Sequence, residues 1–342
     1  MKLLLLLALV ALDYLGCIAY SEEDEAQWEL FKIEYNKEYN NEGSEAESEK
    51  YRKKIFMKNL KYIRKHNKKY ERGEVTFTVE VNKFADMRSG EVHRMGQGFK
   101  LHKDSQRRKA TFKTNGTLEI PDSIDWRMKG AVTKVKDQGE CSSSWIFSAV
   151  GNVEGQNYMK TKKLVSLSEQ NVLDCSNERS KYYFKGCEGG NIWDAFYYIN
   201  DNEGIDTEAS YPYEAKEGEC RYNATNKGAT ISHYGFFYSE TQELGIQYSV
   251  ATYGPVSAII DTAHISFQLY KSGVYMRNST SYKGDQSVLI VGYGTAKKGG
   301  DFWLVKNSWG TSWGMKGYIM MARNHNGMCS IAYNNWGALI RP

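Results

Sequence analysis

The 342-residue sequence lacks long apolar runs beyond its first residues, and its C-terminal two-thirds carry no excess charge. After residue 19, no stretch approaches the roughly 20 apolar residues that a membrane-spanning helix needs, so no membrane partner is expected. Residues 120–342 contain 22 basic and 22 acidic side chains, which argues against nucleic acid as a main partner. The formal net charge of +4 therefore comes from residues 20–119, where 22 bases face 18 acids. Internal repeats and low-complexity tracts are also missing.

Cysteine is scarce, with six residues in the whole chain. Cys17 falls in the leading segment, which leaves Cys141, Cys175, Cys187, Cys220 and Cys329. In an oxidising compartment, five cysteines predict two disulfides and one remaining thiol, and the sequence alone leaves their pairing open. No pair of histidines in residues 120–342 has the spacing of metal ligands, so neither a metal nor a cofactor is expected.

The first 19 residues have the pattern of a cleaved signal peptide. Lys2 provides a short basic region, an apolar run follows, and small residues lead to Ala19. A membrane anchor is the alternative, but the run is too short to span a bilayer and Asp13 interrupts it. We therefore predict a signal peptide over 1–19, entry into the secretory pathway, and an extracellular or lysosomal/vacuolar destination.

A helix is predicted to begin at Ser144, because apolar residues recur at helical spacing behind it. A side chain at such a position faces free backbone N–H groups and the positive end of the helix dipole. This environment ionises a cysteine thiol and makes it a nucleophile. Here the position holds a serine, whose hydroxyl attacks a carbonyl only when a base removes its proton. Serines at a helix start also serve as N-caps, and Ser142, Ser143 and Ser144 all qualify.

This stretch resembles the papain-like cysteine proteases, and cathepsin L among them. The family frame Cys-Gly-Ser/Ala-Cys-Trp reads Cys141-Ser142-Ser143-Ser144-Trp145 in this chain. The resemblance extends from about Trp28 to the C-terminus. It implies an α+β papain-like fold, with a helical left subdomain and a β-barrel-like right subdomain flanking a cleft, preceded by a helical inhibitory propeptide. The implied boundaries are 1–19 for the signal peptide, 20–119 for the propeptide and 120–342 for the peptidase domain.

Two motifs in the N-terminal part support the propeptide assignment. Two helices are predicted within residues 21–72 from the spacing of their apolar residues. The second one carries an interspersed pattern that resembles cathepsin L propeptides: Arg52, Phe56, Asn59, Ile63 and Asn67. Its usual leading glutamate is replaced by Ser48, so one expected partner of Arg52 is missing. A second motif of the family follows, although Glu80 occupies its first position: Asn82, Phe84 and Asp86.

The resemblance assigns four positions of the catalytic site. Gln138 matches the oxyanion donor, Ser144 the nucleophile, Gln286 the histidine base, and Asn307 the amide that orients that base. An amide has no pKa near neutrality, so Gln286 neither accepts nor returns a proton. The other histidines after residue 120 are expected to have structural or surface roles: His233, His264 and His325.

Further assignments also follow from the resemblance. The implied cleft residues are Gly189, Gly190, Asn191, Ile192, Asp285, Trp309 and Asn334, and the two asparagines predict a more polar specificity pocket. The implied disulfides are Cys141–Cys187 and Cys175–Cys220. Cys329 is left as a free thiol because Ser279 occupies the position of its usual partner. Three glycosylation sequons begin at Asn115, Asn223 and Asn278.

Loss of both nucleophile and base predicts a family member that binds peptides or proteins in a retained cleft without cleaving them. The expected partners are such ligands, its own propeptide and protease inhibitors, with the protein itself a monomer. Two alternatives stay open. One is a hydrolase or silicatein-like enzyme that uses Ser144, although silicateins keep the histidine that this chain lacks. The other is a structural or matrix glycoprotein that uses a surface outside the cleft.

Overall fold

The computed structural model describes residues 20–40, 44, 48–96, 111–113, 120–177, 186–238, 242–277, 284–333 and 335–339. The predicted signal peptide lies outside the described residues, as do Asn115, Asn278, Ser279 and Asn334. Among the helices in the described ranges, none is long and apolar enough to cross a bilayer.

The N-terminal region forms two long helices, α1 (Glu22–Glu34) and α2 (Glu49–Glu71), followed by the short helix α3 (Ser89–Gly96). Trp28 of α1 packs against Phe56 of α2 with their ring centroids 5.2 Å apart, which joins the two helices through their apolar faces. Ser48, at the position where the family has glutamate, caps α2 by accepting a hydrogen bond from the Tyr51 amide. The partner expected to be missing for Arg52 is supplied by Glu91 of α3, at 2.9 Å.

The first half of the body is helical. Its elements are α4 (Ser144–Thr161), α5 (Glu169–Asn177) and α6 (Ile192–Asp201). α4 begins at the predicted residue, and it is buried along most of its length because α5, α6 and the sheet surround it. Ser168 caps α5 by accepting a hydrogen bond from the Asn171 amide at 2.9 Å.

The second half of the body is built on a ten-stranded sheet. Two helices accompany it, α7 (Gln242–Tyr253) and α8 (Ile265–Gln268). The strands are β1 (Phe77–Val79), β2 (Thr111–Lys113), β3 (Ile124–Asp125), β6 (His233–Tyr238), β7 (Val256–Ile260), β8 (Tyr270–Tyr275), β9 (Gln286–Ala296), β10 (Gly300–Lys306), β11 (Tyr318–Ala322) and β12 (Asn335–Leu339). A separate pair consists of β4 (Ile205–Asp206) and β5 (Lys227–Ala229). The order is β1-β8-β11-β10-β9-β7-β12-β6-β2, and β3 pairs with β9. The expected α+β papain-like fold with a helical propeptide is confirmed.

The residues that precede the body contribute a strand at each end of this sheet. β1 runs antiparallel to β8, with Phe77 opposite Gly273. β2 runs parallel to β6, with Thr111 opposite Phe236. An added strand pairs backbone groups that a sheet edge otherwise leaves exposed, so the propeptide is integrated into the fold of the body.

A buried ionic cluster lies at the base of the helical half. Lys136 Nζ is 2.7 Å from Glu169 and 3.3 Å from Glu154, and both carboxylate side chains are almost completely buried. Glu154 also accepts hydrogen bonds from the Thr133 hydroxyl and the Leu167 amide. The cluster thereby connects the start of the loop that contains Gln138 to α4 and α5.

Two disulfides are formed, Cys141–Cys187 and Cys175–Cys220, in the pairing that the resemblance implied. The first joins the residue three positions before α4 to the turn that precedes α6, and so fixes the start of α4. Within the described part of the chain, Cys329 is the free cysteine, and it is buried. Burial raises the pKa of its thiol to about 12.

Candidate functional site

Ser144 is the first residue of α4 and is completely buried. Ser143 precedes it at the cap position, yet makes no side-chain capping bond to the helix. The Ser144 hydroxyl oxygen accepts a hydrogen bond from the backbone amide of Ser287, at 3.2 Å. Among the described residues, no group accepts the hydroxyl proton in return. Ser144 therefore lies at the start of α4, as predicted, and its hydroxyl has no hydrogen-bonded proton acceptor within the described residues.

Gln286, the first residue of β9, is the centre of a buried amide network. Its side-chain nitrogen donates toward Gln138 Oε1 and Asn307 Oδ1, both at 3.1 Å, and toward Ser308 Oγ at 3.3 Å. Ser308 Oγ also donates to Gln138 Oε1 at 2.6 Å. The structure thus brings together three of the four residues assigned to the catalytic site. Sequence reasoning omitted Ser308, although it directly follows Asn307.

Three polar atoms of this region are buried without a hydrogen-bond partner in the described structure: Gln286 Oε1, Asn307 Nδ2 and Ser287 Oγ. An unsatisfied buried polar group costs about 1–3 kcal/mol. The network therefore contains buried donors and acceptors that form no hydrogen bond within it.

The Gln138 carboxamide nitrogen, expected to stabilise an oxyanion, is already engaged. It donates to the backbone carbonyl of Cys141 at 3.0 Å and toward that of Met95 in the propeptide at 3.4 Å. Its position on the loop is fixed by the backbone bond from the Gln138 amide to the Ser308 carbonyl, at 2.8 Å. The donor is therefore present beside the start of α4, and propeptide backbone is its neighbour.

The propeptide segment of α3 crosses the cleft from one wall to the other. On the helical side, Ser142 Oγ donates toward the Arg94 carbonyl at 3.4 Å, next to the bond that Gln138 makes to Met95. On the sheet side, the His93 ring nitrogen Nδ1 contacts a carboxylate oxygen of Asp285. The inhibitory propeptide thus occupies the cleft, as in a zymogen.

Asp285 is held by the body as well as by the propeptide. Its two oxygens accept hydrogen bonds from the Thr262 amide and hydroxyl, both at 2.8 Å. Its bond to His93 raises the pKa of that imidazole. The sequence had assigned Asp285 to the cleft but gave no signal for His93, because the two residues are far apart in the chain.

The other described cleft residues are also buried or already hydrogen-bonded. Trp309 is buried and packs edge-on against Phe84 of the propeptide, with ring centroids 5.1 Å apart. Asn191 caps α6 by accepting a hydrogen bond from the Trp193 amide at 3.1 Å, so its carboxamide oxygen faces the helix. Ile192 is completely buried, and Gly189 adopts a φ of +114°, a conformation that favours glycine. Gly190 is buried beside it.

No histidine in the described part of the chain hydrogen-bonds to Ser144 or Gln286. His264 caps α8, where its Nδ1 accepts from the Ser266 amide, and burial lowers the pKa of this imidazole. His233 and His325 are exposed. Among the described residues, no group of three or more His, Cys, Asp or Glu side chains could hold a metal ion. Asn223 is exposed, and its side chain accepts hydrogen bonds from Thr225 of the same sequon.

Two family models match this chain. The model described as papain family cysteine protease matches residues 120–339, and the model described as cathepsin propeptide inhibitor domain (I29) matches residues 28–92. Together they cover both the body and the helical region that precedes it.

Several curated proteins and solved structures are similar over almost the whole chain. Digestive cysteine proteinase 1 of Homarus americanus is 46% identical over 89% of this chain and 92% of its own. Cathepsin L1 of Drosophila melanogaster is 45% identical over 96% of this chain and 88% of its own. The structure of digestive procathepsin L 3 from Tenebrio molitor larval midgut superposes with a TM-score of 0.83 at 36% identity, and covers 94% of this chain and all of that one.

Proposed function

Because this chain belongs to the papain family of cysteine proteases and is cathepsin L-like, we propose that it is a secretory-pathway member of the family that binds peptides without cleaving them. The observation that carries the proposal is the buried amide of Gln286, the residue that the resemblance assigns to the position of the base. In the proposed alignment, Ser144 replaces the nucleophilic cysteine, Asn307 has no imidazole to orient, and Gln138 remains as the oxyanion donor.

The chemistry of the two substituted positions supports inactivity. The dipole at the start of α4 can lower the pKa of a thiol, but it is far too weak to ionise a hydroxyl. Ser144 would therefore need a base, and an amide neither accepts its proton nor protonates a leaving amine. A serine hydrolase or silicatein-like activity is disfavoured for the same reason, because such chemistry also relies on an imidazole.

The geometry of the cleft supports binding. Gln138 and Asp285 stand on opposite walls, and both already contact a peptide segment, namely that of the propeptide. We propose that a peptide or protein ligand, including a protease inhibitor, occupies the same groove once the propeptide has left. A structural or matrix role is the second candidate, since it would use a surface outside the cleft.

The test is an assay of the trimmed protein for cleavage and for binding. An added active cathepsin removes the propeptide and is then inactivated with iodoacetamide, a thiol reagent that leaves Ser144 unmodified. We expect no hydrolysis of a broad peptide library between about pH 4 and about pH 8, because the site has no general base. Turnover that the Ser144→Ala variant loses would contradict the proposal.

Binding is measured on the same trimmed protein with an immobilised peptide array. Cleft binding predicts hits selective for particular side chains, which the Gly190→Val variant loses because the added side chain blocks the approach of a peptide backbone. Retention of the same peptides by that variant, or no hits at all, would favour the structural or matrix role.

A further inference from the structure

Two aspartates border the buried amide network, one on each wall of the cleft. Asp137 immediately precedes Gln138 on the helical side, and Asp285 immediately precedes Gln286 on the sheet side. The side chains of the two glutamines are bonded to each other, with Gln286 Nε2 3.1 Å from Gln138 Oε1. Since consecutive Cα atoms are about 3.8 Å apart, the two aspartates lie close enough for one short peptide to reach both.

The propeptide places a cation on Asp137. Lys83 Nζ lies 2.5 Å from a carboxylate oxygen of Asp137, and the same ammonium group is 5.1 Å from the ring centroid of Phe84. That ring packs on Trp309, so a lysine and an aromatic ring contact the body side by side. The Asp137 side chain remains nearly half-exposed even in this complex, which makes it accessible to a ligand.

The propeptide places a second cation on Asp285. The His93 imidazole contacts this carboxylate, and the bond raises the pKa of the ring. The carboxylate of Asp261 raises that pKa further, whereas Arg94 lowers it, so two body carboxylates act on the His93 ring. Among the described residues, no base of the body forms an ion pair with Asp137 or Asp285.

Removal of the propeptide takes both cations away and leaves the two carboxylates beside the groove. Complementary charges across an interface fix the orientation of a ligand, and like charges disfavour the wrong one. A basic side chain can therefore take the place of Lys83 or of His93, whereas an acidic side chain would meet a like charge at either position.

We propose that the trimmed cleft selects basic peptides, with one cationic side chain on Asp137 and a second on Asp285. This selectivity rests on the proposed peptide-binding function and adds the chemical class of the ligand. Lysine and arginine suit both positions, because each presents several N–H donors to a carboxylate. An aromatic residue next to the first cation should add affinity, since Trp309 loses the ring of Phe84 when the propeptide leaves.

The test uses the purified trimmed protein and pairs of labelled peptides, with binding measured by fluorescence anisotropy. Each peptide is made once with lysine and once with acetyllysine, which lacks the charge. The cleft variant replaces Asp137 and Asp285 by asparagine. The matched control replaces two exposed body acids that form no ion pair with the propeptide in the described structure, through Asp122→Asn and Glu203→Gln. Both variants have the same formal net charge, so a difference between them reports position.

At an ionic strength of about 0.15 M, we expect the parent to bind lysine peptides at least about tenfold more tightly than their acetyllysine partners. The cleft variant should lose this preference, and the control should keep it. Asp285→Glu, made as a single change, should also keep it, because the charge is retained. The paired peptides need no variant, so they decide the question even where the cleft variant does not fold.

The possible failures are distinguishable. Equal binding of the paired peptides by the parent, or an equal loss of preference in the control, would overturn the charge selectivity and leave the proposed function standing. No binding of any peptide by the trimmed parent would overturn both.

Discussion

Restoring both missing catalytic groups should produce a peptidase, whereas restoring either one alone should not. Ser144→Cys places a thiol at the start of α4, where the dipole favours the thiolate, but leaves no group to protonate the departing amine. Gln286→His supplies an imidazole beside a hydroxyl. In the double variant, the ring can occupy the site of the Gln286 amide, whose nitrogen is 3.1 Å from Asn307 Oδ1.

The expected magnitude follows from the role of the base. General acid–base catalysis increases a reaction rate by about 10²–10⁴-fold. Removing one member of a cooperating catalytic set can lower the rate about as much as removing all of them. We therefore expect the double variant to exceed each single variant by at least about 10³-fold, or about 4 kcal/mol of transition-state stabilisation. Asn307→Ala in that background should lower the rate again, because it removes the acceptor that orients the ring.

The assay is removal of the propeptide by the full-length protein itself at acid pH, followed by peptide hydrolysis. Iodoacetamide should abolish the activity of the double variant. Similar activity in Ser144→Cys alone would show that Gln286 is not at the position of the base, and the alignment of the whole site would then be wrong.

Four further predictions concern maturation and stability. The unmodified full-length protein should keep its mass at acid pH in mass spectrometry, and spontaneous, concentration-independent cleavage would contradict the proposed inactivity. The bond to Asp285 raises the pKa of His93 above its ordinary value of 6.5; Asp261 also raises this pKa, and Arg94 lowers it. The contact between His93 and Asp285 is therefore fully formed below about pH 6.5 and is lost as the pH rises through the raised pKa. The amides of α3 should accordingly be more strongly protected from hydrogen exchange, relative to their intrinsic exchange rate at the same pH, in mild acid than in alkali, and His93→Gln should remove that difference in protection. Lys136→Met should cost about 3–5 kcal/mol in urea unfolding, because it removes the cation that is bonded directly to two buried carboxylates. Cys329 should be alkylated only after unfolding, and a peptide that links it to another cysteine would refute the assignment of a free thiol.

Local features of the fold and site could be predicted from the sequence. The start of α4 depends on neighbouring residues and on helical periodicity, so a single stretch contains the information. The positions of Gln138, Gln286 and Asn307 were assigned through a resemblance carried by several motifs. The contact of Arg52 with Glu91 and that of His93 with Asp285 join distant parts of the chain, and no local pattern indicates them.

The sequence also did not predict which partner a polar side chain would bond to. Asn191 was assigned to the specificity pocket by residue type, and only the structure shows that its carboxamide oxygen caps α6. Ser144 was one of three possible caps, and the structure instead turns its hydroxyl toward the amide of Ser287. A residue type defines which bonds are available, whereas the packing of the surrounding elements decides which of them form.

The proposed peptide-binding cleft is covered in the form of the protein that keeps its propeptide. The residues before the body add β1 and β2 to opposite ends of its sheet, and the propeptide covers Trp309 with Phe84 and occupies the cleft through α3. If the chain has no peptidase activity of its own, as proposed, it does not remove this segment, and the cleft opens only when another protease cuts the propeptide. Peptide binding is therefore expected of the trimmed protein and not of the capped one.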